Sequence, residues 1–234
     1  TTVKGVVKRT PVQEFANIRS NGLKAITLKD DDELIGVTIT DGHQNVIIGT
    51  HDGYAVSFDE TTVRSMGRTA SGVRGFRLRD DDFVIGFDVL KPDSNVFIIT
   101  EKGYGKQTPA ADYPIKGRGG KGIKTANVTE KNGHLAGLTT VDGQEDIMVM
   151  TNQGVMIRFN IATVSQTGRA TLGVRLMRLG DDGQVATMAK VDPEPEVDET
   201  VATDATTEAP VDDQTVNADA TTTEPTTDSN DSNE

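Results

Sequence analysis

The chain alternates short apolar runs with polar clusters, and the runs have the length and spacing of β-strands. Ile35/Val37/Ile39 and Ile85/Phe87/Val89 recur with period two. Continuous apolar runs follow at Val46-Ile47-Ile48, Val96-Phe97-Ile98-Ile99 and Ile147-Met148-Val149-Met150. Asp41-Gly42 and Asp142-Gly143 supply hairpin turns before two of these runs, and Asp30-Asp31-Asp32-Glu33 and Asp80-Asp81-Asp82 mark further turns. Another segment, Val73-Arg74-Gly75-Phe76-Arg77-Leu78, alternates over its last three positions. No stretch has helical periodicity over 10 residues, so the pattern predicts an all-β protein with roughly four strands in every 50 residues.

The pattern repeats. Thr-x-x-Gly occurs at Thr2/Gly5, Thr50/Gly53, Thr100/Gly103 and Thr151/Gly154, in steps of 48, 50 and 51. A second glycine keeps step at Gly22, Gly72, Gly122 and Gly173, and a third marker falls at Ile35-Gly36, Ile85-Gly86, Ala136-Gly137 and the degenerate Val185-Ala186. Three markers in phase define four units, about 2–49, 50–99, 100–150 and 151–190. Four strands per unit predict one propeller-type blade each. Kelch and WD repeats are excluded, because their Trp-containing signatures cannot occur in a chain without Trp.

Both ends of the array look incomplete. Thr1 aligns with Gly49, Ile99 and Met150, so the first residues are expected to end an apolar strand in mid-blade. At the other end Asp192-Pro193-Glu194-Pro195 stands where an apolar strand is due, so the last blade is expected to borrow a strand or expose an edge. The array is therefore expected to be the back part of a larger ring.

Charge changes the picture once it is divided by position. The net charge is −12, but residues 191–234 hold 14 of the 36 acids and no Lys or Arg, leaving 22 acids against 24 bases over 1–190. Residues 191–234 also lack aromatics and are expected to be a disordered acidic tail. It serves either as a solubiliser or as a competitor with a polyanion for the basic surface. The absence of Cys removes disulfides, thiolate metal sites and Cys nucleophiles, so redox and zinc chemistry are not expected. There is neither a long apolar segment nor a signal-peptide pattern, which predicts a soluble, cytoplasmic chain without membrane contact.

The units also align positive charge. Two residues after the second glycine stand Lys24, Arg74, Lys124 and Arg175, and four residues before it stand Arg68, Arg118 and Arg169. Arg9 and Arg158 occupy the fourth position after the Thr-x-x-Gly glycine in the outer units. Equivalent residues of successive blades lie at equivalent points around a ring, so these side chains are expected to form a basic belt on its rim. Such a belt suits the regular phosphates of a nucleic-acid backbone and needs no base-specific contact.

The signal is densest in the third unit, where Lys116, Arg118, Lys121 and Lys124 are interleaved with Gly117, Gly119, Gly120 and Gly122. Glycines there are expected to let the backbone approach phosphate. A nucleotide-binding P-loop is excluded, since Lys121 is followed by Gly122 and a strand instead of Ser or Thr and a helix.

Together, Gly-Arg-Gly-Gly-Lys-Gly (117–122), Asp32 to Val37, Arg64-Ser-Met-Gly-Arg68 with Ser71-Gly-Val-Arg-Gly75, and Gly103-Tyr-Gly-Lys106 with Tyr113-Pro114 resemble the C-terminal domain of DNA gyrase A. The resemblance covers residues 2–190 and implies a β-pinwheel of about six blades, of which this chain would hold the last four. It implies that double-stranded DNA wraps the outer edge with positive handedness, so that ATP-driven strand passage introduces negative supercoils. Implied partners are the rest of gyrase A together with gyrase B in an A2B2 heterotetramer, with ATP and Mg2+ bound elsewhere and no cofactor in this chain. Two departures stand out. The family's hallmark Gln-Arg-Arg-Gly-Gly-Lys-Gly box belongs to a first blade not present here, so Lys116 to Gly122 is its counterpart in a later blade. The family's catalytic tyrosine also lies outside this region, leaving Tyr54, Tyr104 and Tyr113 as structural residues and the fragment without cleavage activity of its own.

Other chemistry finds little support. His43, His51 and His134 fall at non-equivalent places in or beside turns without metal-ligand spacing, and are expected to be solvated. The Asp triplets lack the ligand series of an EF-hand and are expected to repel DNA from one face. Two alternatives stay open: the corresponding domain of topoisomerase IV, and a propeller used for protein interaction.

Overall fold

In the computed structural model, residues 1–180 and 182–193 are described, and the expected acidic tail lies almost wholly outside them. The described residues carry the strands β1 (Val6–Val7), β2 (Asn45–Thr50), β3 (Tyr54–Asp59), β4 (Val73–Arg74), β5 (Val84–Leu90), β6 (Asn95–Thr100) and β7 (Tyr104–Pro109). They continue with β8 (Ile123–Lys124), β9 (Leu135–Val141), β10 (Asp146–Thr151), β11 (Met156–Asn160), β12 (Val174–Arg175) and β13 (Val185–Val191). No α-helix occurs among them, and the expected all-β array of blades is observed. No helix among the described residues is long and apolar enough to cross a membrane.

The Thr-x-x-Gly marker is a hairpin turn. In the third unit Gly103 N donates to Thr100 O at 2.9 Å and Tyr104 N donates to Thr100 Oγ1 at 3.2 Å. Thr2 and Thr151 repeat both bonds. In these three units the hydroxyl satisfies an amide that the tight turn removes from the ladder, whereas the buried Thr50 Oγ1 has no such partner.

Two antiparallel four-stranded sheets have the orders β5-β2-β3-β8 and β9-β6-β7-β12, a third is β13-β10-β11, and β1 pairs with β4. Each full sheet is closed by a two-residue strand from the next unit: Ala55 and Tyr54 pair with Ile123 and Lys124, and Gly105 and Tyr104 with Val174 and Arg175. The second glycine permits this exchange. A Cβ on Gly122 would lie 2.7 Å from Ala55 O, and one on Gly173 would lie 2.7 Å from Gly105 O. On Gly22, which has no receiving strand, a Cβ meets nothing within 4 Å.

The continuous apolar runs become the central strands β2, β6 and β10; β2 and β6 are buried on both faces, whereas β10 buries Ile147 and Val149 and leaves Met150 on its other face exposed. Alternate residues of β6 serve different cores: Val96 and Ile98 pack with Ile47, Leu90, Leu135 and Leu138, whereas Phe97 and Ile99 pack with Val141, Ile147, Val149 and Val185. The hydrophobic cores therefore lie between successive sheets. Glycine sets their spacing at the third marker, because a Cβ on Gly86 would lie 2.6 Å from Leu138 O. Asp88 on β5 adds a polar tie to β9, accepting from Thr139 Oγ1 at 2.7 Å and from Thr140 N at 2.8 Å.

Two strand expectations are corrected. Ile35/Val37/Ile39 form no strand, because no edge is available to them beyond the Thr2–Leu34 bridge, and Val37 and Ile39 are 78% and 82% exposed. Residues 73–78 form only the two-residue β4, since Phe76 turns inward as core and Gly75 and Arg77 bond the backbone of other units. In the last blade β11 has no further strand beside it among the described residues, so the expected open edge is observed and Val155 and Met156 are 52% and 54% exposed, while the apolar strand due after residue 191 lies outside the described residues.

Candidate nucleic-acid interface

The short strands β4, β8 and β12 present Arg74, Lys124 and Arg175 to solvent, all exposed. The arginines four residues before the second glycine connect these positions. Arg118 of the third unit donates from Nη1 to the carbonyl of Arg74 in the second at 3.1 Å, and from Nε to Thr62 O at 2.9 Å. Arg169 of the fourth unit donates to the carbonyl of Lys124 in the third, also at 3.1 Å. The same bond thus recurs across two successive unit boundaries, setting Arg74 beside Arg118 and Lys124 beside Arg169. The carbonyl contacts consume donors but no charge, so every guanidinium keeps its full positive charge. Arg175 is held differently, donating from Nη2 to Tyr104 Oη at 2.8 Å. Lys24 is exposed, and Arg68 is half-buried with its carbonyl accepting from Lys8 Nζ at 2.5 Å.

The glycine-rich loop divides by role. Gly117 and Gly120 have no atom closer than 3.8 Å to a built Cβ, and the amides of Gly117, Arg118 and Lys121 have no backbone acceptor among the described residues, whereas Gly120 is bridged to Phe76. These three amides, flanked by exposed Lys116 and Lys121, can donate to an anion. The other two glycines do not approach phosphate as expected: Gly119 N bonds Gly75 O, and Gly122 packs on Phe76 and Ala55. The first residue following this loop's Lys121-Gly122 belongs to strand β8 and not to a helix, so the loop lacks the strand–loop–helix context of a P-loop.

Arg9 and Arg158 differ from the other belt residues in standing beside carboxylates. Arg9 lies 3.9 Å from the buried Glu60 carboxylate and donates to Gly42 O, while Arg158 Nε bonds Asp146 Oδ2 at 2.7 Å. Each charge is matched by a carboxylate, which leaves little net attraction for phosphate. The Asp triplets are also turned partly inward. Asp32 and Asp82 are buried and accept backbone amides at 2.9–3.0 Å, whereas Asp31 and Asp81 adopt positive φ at the turn tips.

Several basic residues escaped the sequence reading. Arg77 and Arg178 stand five residues after the second glycine in two units, both exposed, a periodic signal that spacing could have found. Arg79 lies over the Tyr54 ring at 3.3 Å and donates to Lys121 O at 2.9 Å, bracing the loop. Lys106 is fully buried, and its ammonium donates to the carbonyls of Gly168, at 2.7 Å, and Arg169 and to Thr171 Oγ1. Burial, and then the charge of Arg169, pull its pKa down to about 8. Two of the three histidines are only partly solvated: His51 and His134, from different units, stack with centroids 4.2 Å apart.

Fold and site together define a strand-swapped β-propeller array with a periodic positive surface. The sequence profile of the family described as DNA gyrase C-terminal domain, beta-propeller, matches residues 1–41, 44–91, 94–142 and 145–192, and the chain belongs to that family. DNA gyrase A of Streptococcus pneumoniae is 63% identical over 191 residues, covering 82% of this chain and 23% of the relative. That of Staphylococcus aureus is 47% identical over 215 residues, covering 88% and 24%. The chain thus spans about a quarter of the length of these relatives. Among solved structures, the C-terminal domain of DNA topoisomerase IV superposes with a TM-score of 0.78 at 25% identity, over 82% of this chain and 60% of that one. The DNA gyrase A C-terminal domain gives 0.73 at 24%, over 81% and 64%, a likeness of fold.

Proposed function

We propose that this chain is the DNA-wrapping module of a gyrase, bending double-stranded DNA around its basic rim. The observation that carries the reading is the repeated Arg-to-carbonyl bond, Arg118 to Arg74 and Arg169 to Lys124, which joins the basic residues of three units into one track. A continuous track with little base-reading chemistry suits a phosphate backbone. In this reading the module serves a type II topoisomerase in the cytoplasm, with the rest of gyrase A and with gyrase B as an A2B2 partner set. It presents the bent segment for ATP-dependent negative supercoiling.

The chemistry is assigned to other parts of that assembly. Tyr113 is buried and hydrogen-bonded to Thr125, Tyr104 is buried against Arg175, and Tyr54 lies under Arg79, so none is poised as a nucleophile. ATP and Mg2+ are assigned elsewhere too, as the loop at 116–124 does not suit them. The topoisomerase IV alternative is less favoured, since the gyrase relatives named above reach 47% and 63% identity against 25% for the topoisomerase IV domain.

The test is a titration of the chain against nicked circular plasmid at several salt concentrations, followed by ligase sealing and separation of topoisomers. Salt-sensitive binding that traps positive writhe is the expected result. Binding without writhe would move the assignment to the topoisomerase IV type. Absence of binding at low salt would replace the DNA reading by the protein-interaction propeller.

A further inference from the structure

Away from the basic track, three elements of two neighbouring sheets converge on a cluster of side chains. His51 and Asp52 lie in the turn between β2 and β3, Glu101 in the turn between β6 and β7, and His134 immediately before β9. Their backbones are mutually fixed, with His51 N donating to Phe83 O, Leu135 N to His51 O and Glu101 N to His134 O, each at 2.9 Å. Phe83 stacks on His51 at 4.5 Å, which holds that ring further.

The hydrogen bonds decide which ring nitrogens are available. His51 Nε2 lies 3.2 Å from Glu101 Oε1, and a carboxylate only accepts, so in the neutral ring Nε2 carries the proton and Nδ1 has the lone pair. That Nδ1 is 3.8 Å from Asp52 Oδ1. His134 Nδ1 lies 3.2 Å from the same oxygen, yet it is buried and its approach makes no hydrogen bond. Two imidazole nitrogens and one carboxylate oxygen therefore face one another, all within 4.8 Å. Glu101 supports both histidines, because its other oxygen accepts His134 N at 3.2 Å.

We propose that His51, Asp52 and His134 form a site for one divalent transition-metal ion of the Zn2+ type, with Glu101 orienting the ligands. Two nitrogens and one carboxylate oxygen suit zinc, cobalt or nickel, whereas Mg2+ and Ca2+ require oxygen sets. A carboxylate bonded to the distal nitrogen of a ligating histidine is the support that such sites use. With metal–ligand bonds of about 2.0–2.1 Å, tetrahedral ligands stand ~3.3 Å apart. One edge of the cluster, His134 Nδ1 to Asp52 Oδ1 at 3.2 Å, already has that length, and the others are longer. The rings must also leave their near-parallel stack, now 4° apart, so that both in-plane lone pairs meet at the ion. The bound ion clamps the β2–β3 turn of one sheet to the β6–β7 turn and β9 of the next. Sequence could not show this, because His51 and His134 occupy unrelated positions of their units. The absence of Cys excludes only thiolate sites.

The test titrates Co2+ into the 234-residue chain, reads the visible absorption, and back-titrates with Zn2+. The expected result is one saturable band of low coordination number, displaced by one equivalent of Zn2+. Zinc should also raise the thermal midpoint of the wild-type chain. In His134→Gln, whose parent side chain is 45% exposed and so dispensable for folding, both effects disappear. In Glu101→Gln affinity falls on the order of 10- to 100-fold. A wild-type spectrum that stays that of hexaaqua cobalt overturns the site, as does a band that survives in His134→Gln. The readout is independent of DNA, so its failure would leave the wrapping proposal standing.

Discussion

Replacing Lys106 by Gln should change how stability responds to alkali. The wild-type side chain is fully buried, and its ammonium is held by two carbonyls and a hydroxyl of the 168–171 loop. Its pKa is lowered from 10.5 to about 8, first by burial and then by Arg169. Between those two values the unfolded chain holds a proton that the folded chain has released, so stability gains with rising pH. Each pKa unit is worth about 1.4 kcal/mol, so the full difference reaches ~3 kcal/mol as an upper figure. Urea unfolding of wild type and Lys106→Gln at pH 7.5, 9 and 10 isolates this contribution, because the other titrations are common to both chains. The wild-type stability should rise relative to the variant across that interval, most steeply above pH 8. A difference that stays flat, or a wild type that loses ground, refutes the assignment of a depressed pKa to this amine.

Further tests address the track, the sheet spacing and the polar tie. Exchanging Arg74, Lys124 and Arg175 together for Ala should weaken DNA binding alike on all sequences and lower the salt slope by about 0.9 for each phosphate no longer neutralised; an unchanged slope removes them from the interface. Gly86→Ala, whose new methyl would lie 2.6 Å from Leu138 O, should cost about 1–3 kcal/mol in urea unfolding; a near-neutral change would show that the sheets can separate freely. Burial pushes Asp88 up, but its bonds from Thr140, Thr139 and Val89 outweigh that and hold it below its ordinary 3.8. Its stabilisation is therefore present above that value and lost as pH falls through the depressed one. Asp88→Asn should cost about 1–3 kcal/mol near neutrality, with the gap to wild type closing in acid unfolding below pH 3.8.

The repeat was readable because each marker answers a demand that recurs in most of the units. Thr100 must cap a turn, Gly122 must admit a foreign backbone, and Gly86 must admit a neighbouring sheet. The exchange of short strands was not readable, because a two-residue strand such as β8 has no periodicity and its partner lies in another unit. The same limit governed the site. Alignment selected Arg74, Lys124 and Arg175, which stand on equivalent short strands, and equally Arg9 and Arg158, whose neighbouring carboxylates Glu60 and Asp146 are distant in sequence. Glycine spacing likewise could not separate the open Gly117 and Gly120 from the packed Gly119 and Gly122.

The exchanged strands impose an order on biosynthesis. As the chain leaves the ribosome from its N-terminus, the hairpin of β2 and β3 is available early, but its sheet stays open until Ile123 and Lys124 emerge, about 70 residues after Tyr54. By then β6 and β7 have been made and wait in turn for Val174 and Arg175. Each blade is therefore finished only when the following one is well under way, and an open edge travels along the nascent chain behind the point of synthesis. A translational pause of suitable length would hold such an edge exposed, which makes the timing of elongation, as well as the final contacts, a determinant of yield.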